Sequence, residues 1–208
     1  MELWSTFTRH NHYQKWTIYE RWQAAANLQL AILDSYKEIA DRLNQESSSP
    51  TIVMERGVWS SLSVFTPAAK IHPKMEQEIY DYAKETQASN IIPETIIYID
   101  TPPEVCAKRI KSRGVDYEQD INLVYLSELD HLYYEAFTRY NGTVFHVDGT
   151  QSREIVCKQV EEIISNCLAG RQPDIIRGIT FQPRKLWPPT PDQQWEYTMH
   201  QDTTTTKR

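Results

Sequence analysis

The sequence predicts an α/β fold in which helices cover a parallel sheet. Three short apolar runs rich in β-branched residues, 51–54, 96–99 and 143–147, have the pattern of buried parallel strands. The stretches around them carry apolar residues at every third or fourth position, which is typical of amphipathic helices. Strands that alternate with helices along a chain form a parallel sheet joined by crossover helices.

Composition and charge restrict the class of protein. With 208 residues and 40% hydrophobic content, the chain is long enough for one domain with a substantial core. A net charge of −6 gives no electrostatic reason to expect a nucleic-acid partner. The 3 cysteines have no metal-ligand spacing, and no apolar run approaches the roughly 20 residues of a membrane span. We therefore expect a soluble cytoplasmic protein, with a mitochondrial location left open.

The first half of the chain predicts a long helix followed by a strand. The helical period runs from Trp16 to Leu43 and fades into a loop that ends at Pro50. The strand 51–54 then delivers Glu55 and Arg56 at its carboxyl end. Ligands of open α/β sheets bind outside the carboxyl ends of the strands, so these side chains stand where chemistry is expected. A helix over 73–87 follows.

The stretch 94–137 contains a predicted strand, a basic helix, an acidic loop and a second helix, and it carries the most informative pattern in the chain. Its apolar strand ends at Asp100, and Pro103 begins a helix without loss of a hydrogen bond. That helix carries a group of cations, breaks at Gly114, and leads through an acidic loop to a second helix from Leu123. The cations are Lys108, Arg109, Lys111 and Arg113. A buried strand that delivers clustered arginines and lysines to a loop is suited to hold phosphate.

The final elements complete the predicted domain, residues 1–170. A strand over 143–147 precedes a helix from Ser152, which is a favourable capping residue, to Leu168. Residues 171–208 are rich in proline and polar residues, and we expect this tail to be disordered.

Several of these motifs together resemble the deoxynucleoside kinase family. The segment Glu55 to Ser60 is similar to the family's ERS-x-x-S motif, with Gly57 in place of the usual serine. The strand and turn Ile97–Cys106 resemble its YLxTxPEVC segment. The basic segment 109–114, followed by Glu118, resembles its arginine-rich lid, and 125–135 the helix after the lid. Trp22-Gln23 resembles the family's Phe-Gln pair, and Phe65 has the spacing of its base-contacting ring.

The resemblance implies a P-loop kinase-like fold that transfers the ATP γ-phosphoryl group to the 5′-hydroxyl of a deoxynucleoside in nucleotide salvage. It implies that Gln23 pairs with the base and that Phe65 stacks on it. Arg56 would hold the region of the 5′-oxygen, balanced by Glu55, which would also help to position Mg²⁺. A homodimer is expected by the same resemblance.

The remaining roles concern phosphate and sugar. Arg109 and Arg113 would neutralise the charge on the transferring phosphoryl oxygens, which is the main requirement of such a reaction. Glu118 would accept a hydrogen bond from the 3′-hydroxyl of the sugar, with Tyr13 as a second contact.

Most of these residues also have a purely structural interpretation. Arg56 could be an ion-paired strand end, and the two lid arginines, four positions apart, could form a solvated cationic helix face. Gln23 would ordinarily be an amide on a helix surface, and Phe65 a core residue. The order and spacing of all the motifs together favour the functional interpretation.

The sequence also departs from the family pattern. No segment matches the glycine-rich GxxxxGK[ST] loop that cradles ATP phosphates, and the first glycine is Gly57. We therefore expect the first strands of the family fold, the loop and the catalytic base to be missing from these 208 residues. A family lid arginine falls at Val115. Ser61 falls where deoxycytidine and deoxyguanosine kinases place an aspartate, and this small residue favours the thymidine-accepting pattern and with it a pyrimidine. The alternative function is a catalytically inactive nucleoside-binding relative.

Overall fold

The structure is a computed structural model that describes residues 16–45, 51–88 and 91–170. Its mixed α/β architecture, a parallel sheet flanked by helices, confirms the predicted fold class. In chain order, the elements are α1 (Ile18–Asn44), α2 (Val58–Ser60), a π turn (Ser61–Phe65), α3 (Thr66–Ala68), α4 (Pro73–Glu85), β1 (Thr95–Asp100), α5 (Pro103–Arg113), a 3₁₀ turn (Asp116–Glu118), α6 (Leu123–Thr138), β2 (Thr143–Asp148) and α7 (Arg153–Leu168).

The sheet consists of two predicted strands. β1 and β2 run parallel, with Thr95 opposite Thr143 and Asp100 opposite Asp148. The connection between them passes through α5 and α6, as a parallel pair requires. Both strands therefore end in an aspartate at the same edge of the sheet.

The prediction of a strand over 51–54 is wrong, because the structure gives this segment no regular secondary structure. Ile52 and Val53 remain 47% and 68% exposed. A strand exists only where a neighbour accepts and donates its backbone hydrogen bonds. Among the described residues β1 pairs with β2, and the segment 51–54 belongs to neither strand ladder. An apolar β-branched run is therefore not sufficient to define a strand.

The long helix α1 and helix α4 form the larger core. A capping box starts α1, because Thr17 Oγ1 accepts from the Glu20 N–H at 3.2 Å and Glu20 Oε2 accepts from the Thr17 N–H at 2.7 Å. Leu33 on α1 and Ile79 on α4 are fully buried in the cluster that joins the two helices. The predicted helical period of the first half is confirmed, and α4 begins at Pro73 as expected.

The predicted ends of α5 and α7 are confirmed as well. α5 has Pro103 at its first turn, and Gly114 closes it in the left-handed conformation at φ 66°. Ser152 caps α7 through its hydroxyl, which accepts from the Ile155 N–H at 3.4 Å. Ile163 of α7 packs on Phe145 and Val147 of β2 to form a second, smaller core.

In the described ranges, no helix is both long and apolar enough to span a membrane. The predicted disordered tail, 171–208, and Tyr13 lie outside the described residues. The division into a domain over 1–170 and a tail therefore stays a prediction.

Candidate functional site

The centre of the candidate site is Arg56, which follows the segment 51–54 and Glu55. Its guanidinium carbon lies 4.5 Å from the centroid of the Phe65 ring, a cation–π contact. Its backbone is in the left-handed region at φ 64°. That conformation is uncommon for a residue with a side chain and occurs preferentially at binding and catalytic sites. The structure thus brings together two of the residues predicted from sequence.

Tyrosines around Arg56 extend this site. Burial raises the pKa of Tyr36, Tyr125 and Tyr133, and the positive charge of Arg56 opposes the rise at each of them. The Tyr133 ring also meets Phe65 edge to face, with centroids 6.2 Å apart. These tyrosines were not predicted from sequence. Tyr125 and Tyr133 are eight positions apart on α6, a spacing that returns to one helix face, and this was the available signal.

Phe65 ends the π turn, whose first residue makes a buried polar contact. Ser61 Oγ donates to Gln29 Oε1 of α1 at 2.7 Å, and both residues are buried. Gln29 was not predicted as a site residue, because its position is consistent with the helical period alone. π turns within helices are rare and often lie at functional sites.

Gln23 has a different environment from the one predicted. It is exposed near the start of α1, where its Nε2 donates to Asn27 Oδ1 at 3.0 Å and its Oε1 accepts from Tyr19 Oη at 3.5 Å. Among the described residues its hydrogen-bond partners all lie on its own helix, and no hydrogen bond joins it to Arg56. Its role with a base stays a prediction.

The lid residues Arg113 and Glu118 bind each other. Glu118 Oε2 accepts from Arg113 Nε at 2.8 Å and lies 2.7 Å from Nη2. The side chain of Glu118 is only 18% exposed, whereas that of Arg113 is 56% exposed. Arg109 is exposed on the same helix, α5. Two residues predicted to contact different ligands therefore neutralise one another in this structure.

Glu55 lies next to Arg56 with its side chain exposed, and its backbone carbonyl accepts from Tyr36 Oη at 3.4 Å. Within the part of the chain that the structure describes, no group of three or more His, Cys, Asp or Glu residues could hold a metal ion. Mg²⁺ in phosphoryl-transfer sites is commonly held by one or two carboxylates together with substrate phosphates. A single exposed carboxylate such as Glu55 fits that donor set.

A second cluster of polar side chains, separate from the one around Arg56, lies at the carboxyl ends of β1 and β2. Tyr134 Oη donates to Asp100 Oδ2 at 2.7 Å, and His146 Nδ1 lies 4.0 Å from the same oxygen. Burial lowers the pKa of His146, and the Asp100 carboxylate opposes this effect. Asp148, at the end of β2, accepts from Thr150 N–H at 2.9 Å. This edge of the sheet is where open α/β proteins place their ligands.

The fold and these side chains define a class of protein. It is an α/β protein with a parallel sheet, polar side chains at the carboxyl edge of that sheet, and a basic helix after β1, an arrangement suited to binding ligands that carry phosphate.

Comparison with known proteins makes the class specific. The family model for deoxynucleoside kinase matches residues 6–167. A protein of Frog virus 3 (isolate Goorha) whose name places it among deoxynucleoside kinases is 28% identical over 149 residues, 72% of this chain and 72% of its own length. Deoxyguanosine kinase of Dictyostelium discoideum is 34% identical over 86 residues, 39% of this chain and 30% of the relative. Human deoxycytidine kinase is 26% identical over 127 residues, 57% and 48% of the two chains.

The chain belongs to the deoxynucleoside kinase family, because the family match covers well over half of it. The family predicted from sequence motifs, and with it the class of enzyme, a phosphotransferase, is confirmed. The aligned regions span between about a third and three quarters of these relatives.

Proposed function

We propose that this protein binds a deoxynucleoside beside Arg56 and Phe65, and that the family reaction it serves transfers the ATP γ-phosphoryl group to the 5′-hydroxyl. The observation that carries the proposal is the stacking of the Arg56 guanidinium on Phe65, at 4.5 Å. A ring that accepts a flat cation on its face can equally accept a nucleobase. Since Arg56 is exposed, its guanidinium is free to turn from the ring towards the 5′-oxygen as a base takes its place.

The phosphate side of the site is supplied by the lid and by Glu55. Arg109 and Arg113 lie on the exposed face of α5, where they can neutralise the charge of phosphoryl oxygens. Mg²⁺, held by Glu55 and the phosphates, would offset the remaining negative charge. A phosphate that takes the Nε and Nη2 donors of Arg113 displaces Glu118 from them. The release frees the carboxylate of Glu118 to accept the 3′-hydroxyl of the sugar.

The substrate class follows from the same residues. Ser61, buried and bonded to Gln29, is a small neutral group at the position where relatives that accept deoxycytidine or deoxyguanosine carry an aspartate. We propose a pyrimidine deoxynucleoside, with Gln23 and Tyr13 as further contacts, and a role in cytoplasmic nucleotide salvage. We further propose that residues 1–170 form the kinase domain and that it acts as a homodimer.

Ligand binding is the first test. With thymidine or deoxycytidine at about 100 times the dissociation constant, we expect the melting temperature to rise by roughly 5–10 °C. Phe65→Ala removes the stacking ring, so the dissociation constant should rise at least about tenfold. 2-Deoxyribose, which has no base, is the control ligand and should bind neither protein measurably. Equal affinity of wild type and Phe65→Ala would exclude Phe65 from the site.

Phosphoryl transfer is the second test. The 208-residue chain has no match to the glycine-rich loop, so we expect labelled ATP to give thymidine monophosphate only after a family loop segment is fused to it. In the fused protein, Arg56→Ala should abolish transfer and leave thymidine affinity within about threefold. Binding without transfer in the fused protein would instead support an inactive nucleoside-binding relative.

A further inference from the structure

In the hydrogen-bond register of the π turn that carries Phe65, one backbone carbonyl has no N–H to accept from. In this turn the Thr66 N–H donates to the Ser61 carbonyl, five residues back instead of four. In the same register, the next donor would be residue 67, and its acceptor would be Leu62. Residue 67 is proline, which has no N–H. The Leu62 carbonyl therefore needs a donor from elsewhere in the molecule, because an unpaired buried carbonyl is costly.

Tyr80 of α4 supplies that donor. Its Oη lies 3.1 Å from the Leu62 carbonyl oxygen, in a partly buried position, and 3.3 Å from Glu76 Oε1. Burial, together with the negative charge of Glu76, raises the pKa of Tyr80 to about 12. The hydroxyl carries its proton at neutral pH and lies within hydrogen-bond distance of both acceptors.

The π turn is held from the other side as well. Ser61 Oγ donates to Gln29 Oε1 at 2.7 Å, which attaches the first residue of the turn to α1. The turn is therefore attached to α4 at its second residue and to α1 at its first. Its fifth residue is Phe65, the ring beneath the Arg56 guanidinium.

We propose that Tyr80 is a positioning residue of the nucleoside site: through the Leu62 carbonyl it fixes the π turn, and so fixes the Phe65 ring against which the base stacks. The proposal rests on the function proposed above, since it assumes that Phe65 contacts the base. It goes beyond that function by assigning a role to Tyr80 of α4. Among the described residues, no hydrogen bond or ring contact joins Tyr80 to Arg56 or Phe65.

The experiment compares Tyr80→Phe with Tyr82→Phe in the full chain. Tyr82 is a matched control, because its hydroxyl, on the same helix, hydrogen-bonds Asp34 and not the π turn. Amide hydrogen exchange without ligand should be about three- to tenfold faster across residues 61–66 in Tyr80→Phe and unchanged there in Tyr82→Phe. Calorimetry should show thymidine affinity weakened about three- to tenfold by Tyr80→Phe alone.

A third variant separates the two acceptors of the Tyr80 proton. Glu76→Ala removes the competing carboxylate and leaves the Leu62 carbonyl as acceptor. We expect exchange across residues 61–66 to remain as slow as in wild type. Exchange faster than in wild type in Glu76→Ala would assign the effect to the carboxylate and overturn the role of Leu62.

Each other outcome is decisive as well. Equal exchange in Tyr80→Phe and Tyr82→Phe overturns the inference whether or not thymidine binds. Faster exchange with unchanged thymidine affinity shows that Tyr80 holds the turn without positioning the substrate, and this also overturns it. Wild-type protein that binds no deoxynucleoside overturns the proposed function, while the exchange comparison still decides whether Tyr80 holds the π turn.

Discussion

At the scale of single residues, the pairing of Arg113 with Glu118 has the clearest functional consequence. The pair is partly exposed, and ion pairs of that kind contribute about 0–1 kcal/mol to stability. A phosphate, which offers Arg113 a doubly charged partner and several acceptor oxygens, can therefore displace Glu118 at small cost. In the proposed function, the freed carboxylate accepts a hydrogen bond from the 3′-hydroxyl of the sugar. The proposed function thus links phosphate binding at Arg113 to sugar binding at Glu118.

Glu118→Gln tests the proposed contact between Glu118 and the sugar hydroxyl. The amide is a weaker acceptor than the carboxylate, so we expect deoxynucleoside affinity to fall about tenfold or more, since hydrogen bonds to charged groups contribute about 1.5–3 kcal/mol. The free energy of unfolding should change by less than about 1 kcal/mol. Glu135→Gln, which breaks exposed ion pairs with His131 and Arg139 on α6, is the control and should leave affinity unchanged. Isothermal titration calorimetry measures the deoxynucleoside affinity of both variants. Equal affinities of Glu118→Gln and Glu135→Gln would refute the role of Glu118.

At the scale of the elements, β1 and β2 approach each other closely beyond their last paired residues. The Gly149 N–H donates to the Asp100 carbonyl at 2.8 Å, which continues the parallel ladder into the turn after β2. Gly149 is buried there against Thr101. A glycine at this point lets the two chain segments that carry Asp100 and Asp148 come together at the carboxyl edge of the sheet.

Gly149→Ala should separate these segments. A methyl group at Gly149 would overlap Thr101 Oγ1 and lie 2.9 Å from Ile99 Cγ2 and 3.1 Å from the Asp100 carbonyl oxygen. We expect the free energy of unfolding to fall by about 1–3 kcal/mol in a denaturant titration, as in other overpacked sites.

Gly57→Ala is the matched control, because Gly57 is also buried but the nearest atom to an added methyl group is Met54 Cε at 3.8 Å, an ordinary contact. A similar loss of stability in both variants would show that the close approach at Gly149 is not the cause.

At the scale of the whole molecule, aromatic rings connect the sheet to α6. His146 of β2 has ring centroids 5.6 Å from both Tyr98 of β1 and Phe137 of α6, and it stacks on Tyr134 at 6.3 Å. Phe137 also stacks on Trp59 at 5.5 Å, which extends the cluster to α2. The imidazole of His146 thus lies within the aromatic cluster that joins β1, β2, α2 and α6. We expect its protonation to change the free energy of unfolding of the whole domain.

The sign of the pH dependence follows from the lowered pKa of His146, whose main cause is burial. Below its ordinary value of 6.5 the unfolded chain takes up the proton first. Stability from the neutral imidazole is therefore fully present above that pH and is lost as pH falls towards the folded-state pKa. We expect the free energy of unfolding to drop between pH 7.5 and 5, and to drop less in His146→Gln. Denaturant titrations at both pH values measure this, and equal drops would contradict it.

The sequence by itself determined the local features of this protein. The two strands with their register-defining apolar residues, the long helix α1, and the helix ends at Pro103, Gly114 and Ser152 all follow from periodicity and capping chemistry within short windows. The order of motifs was also enough to identify the family, because each motif depends only on neighbouring residues. Secondary structure, helix ends and family membership can therefore be predicted from short stretches of sequence.

The tertiary structure decided which distant groups meet. The segment 51–54 is apolar and β-branched but has no strand partner among the described residues, and pairing is not a local property. The hydrogen bond from Ser61 to Gln29 spans 32 positions and that from Tyr80 to Leu62 spans 18, so no window of sequence contains either pair. The stacking of Arg56 on Phe65 joins residues on either side of α2 and the start of the π turn. Tertiary packing determines which side chains far apart in the sequence contact each other, and the periodicity of one segment carries no information about those contacts.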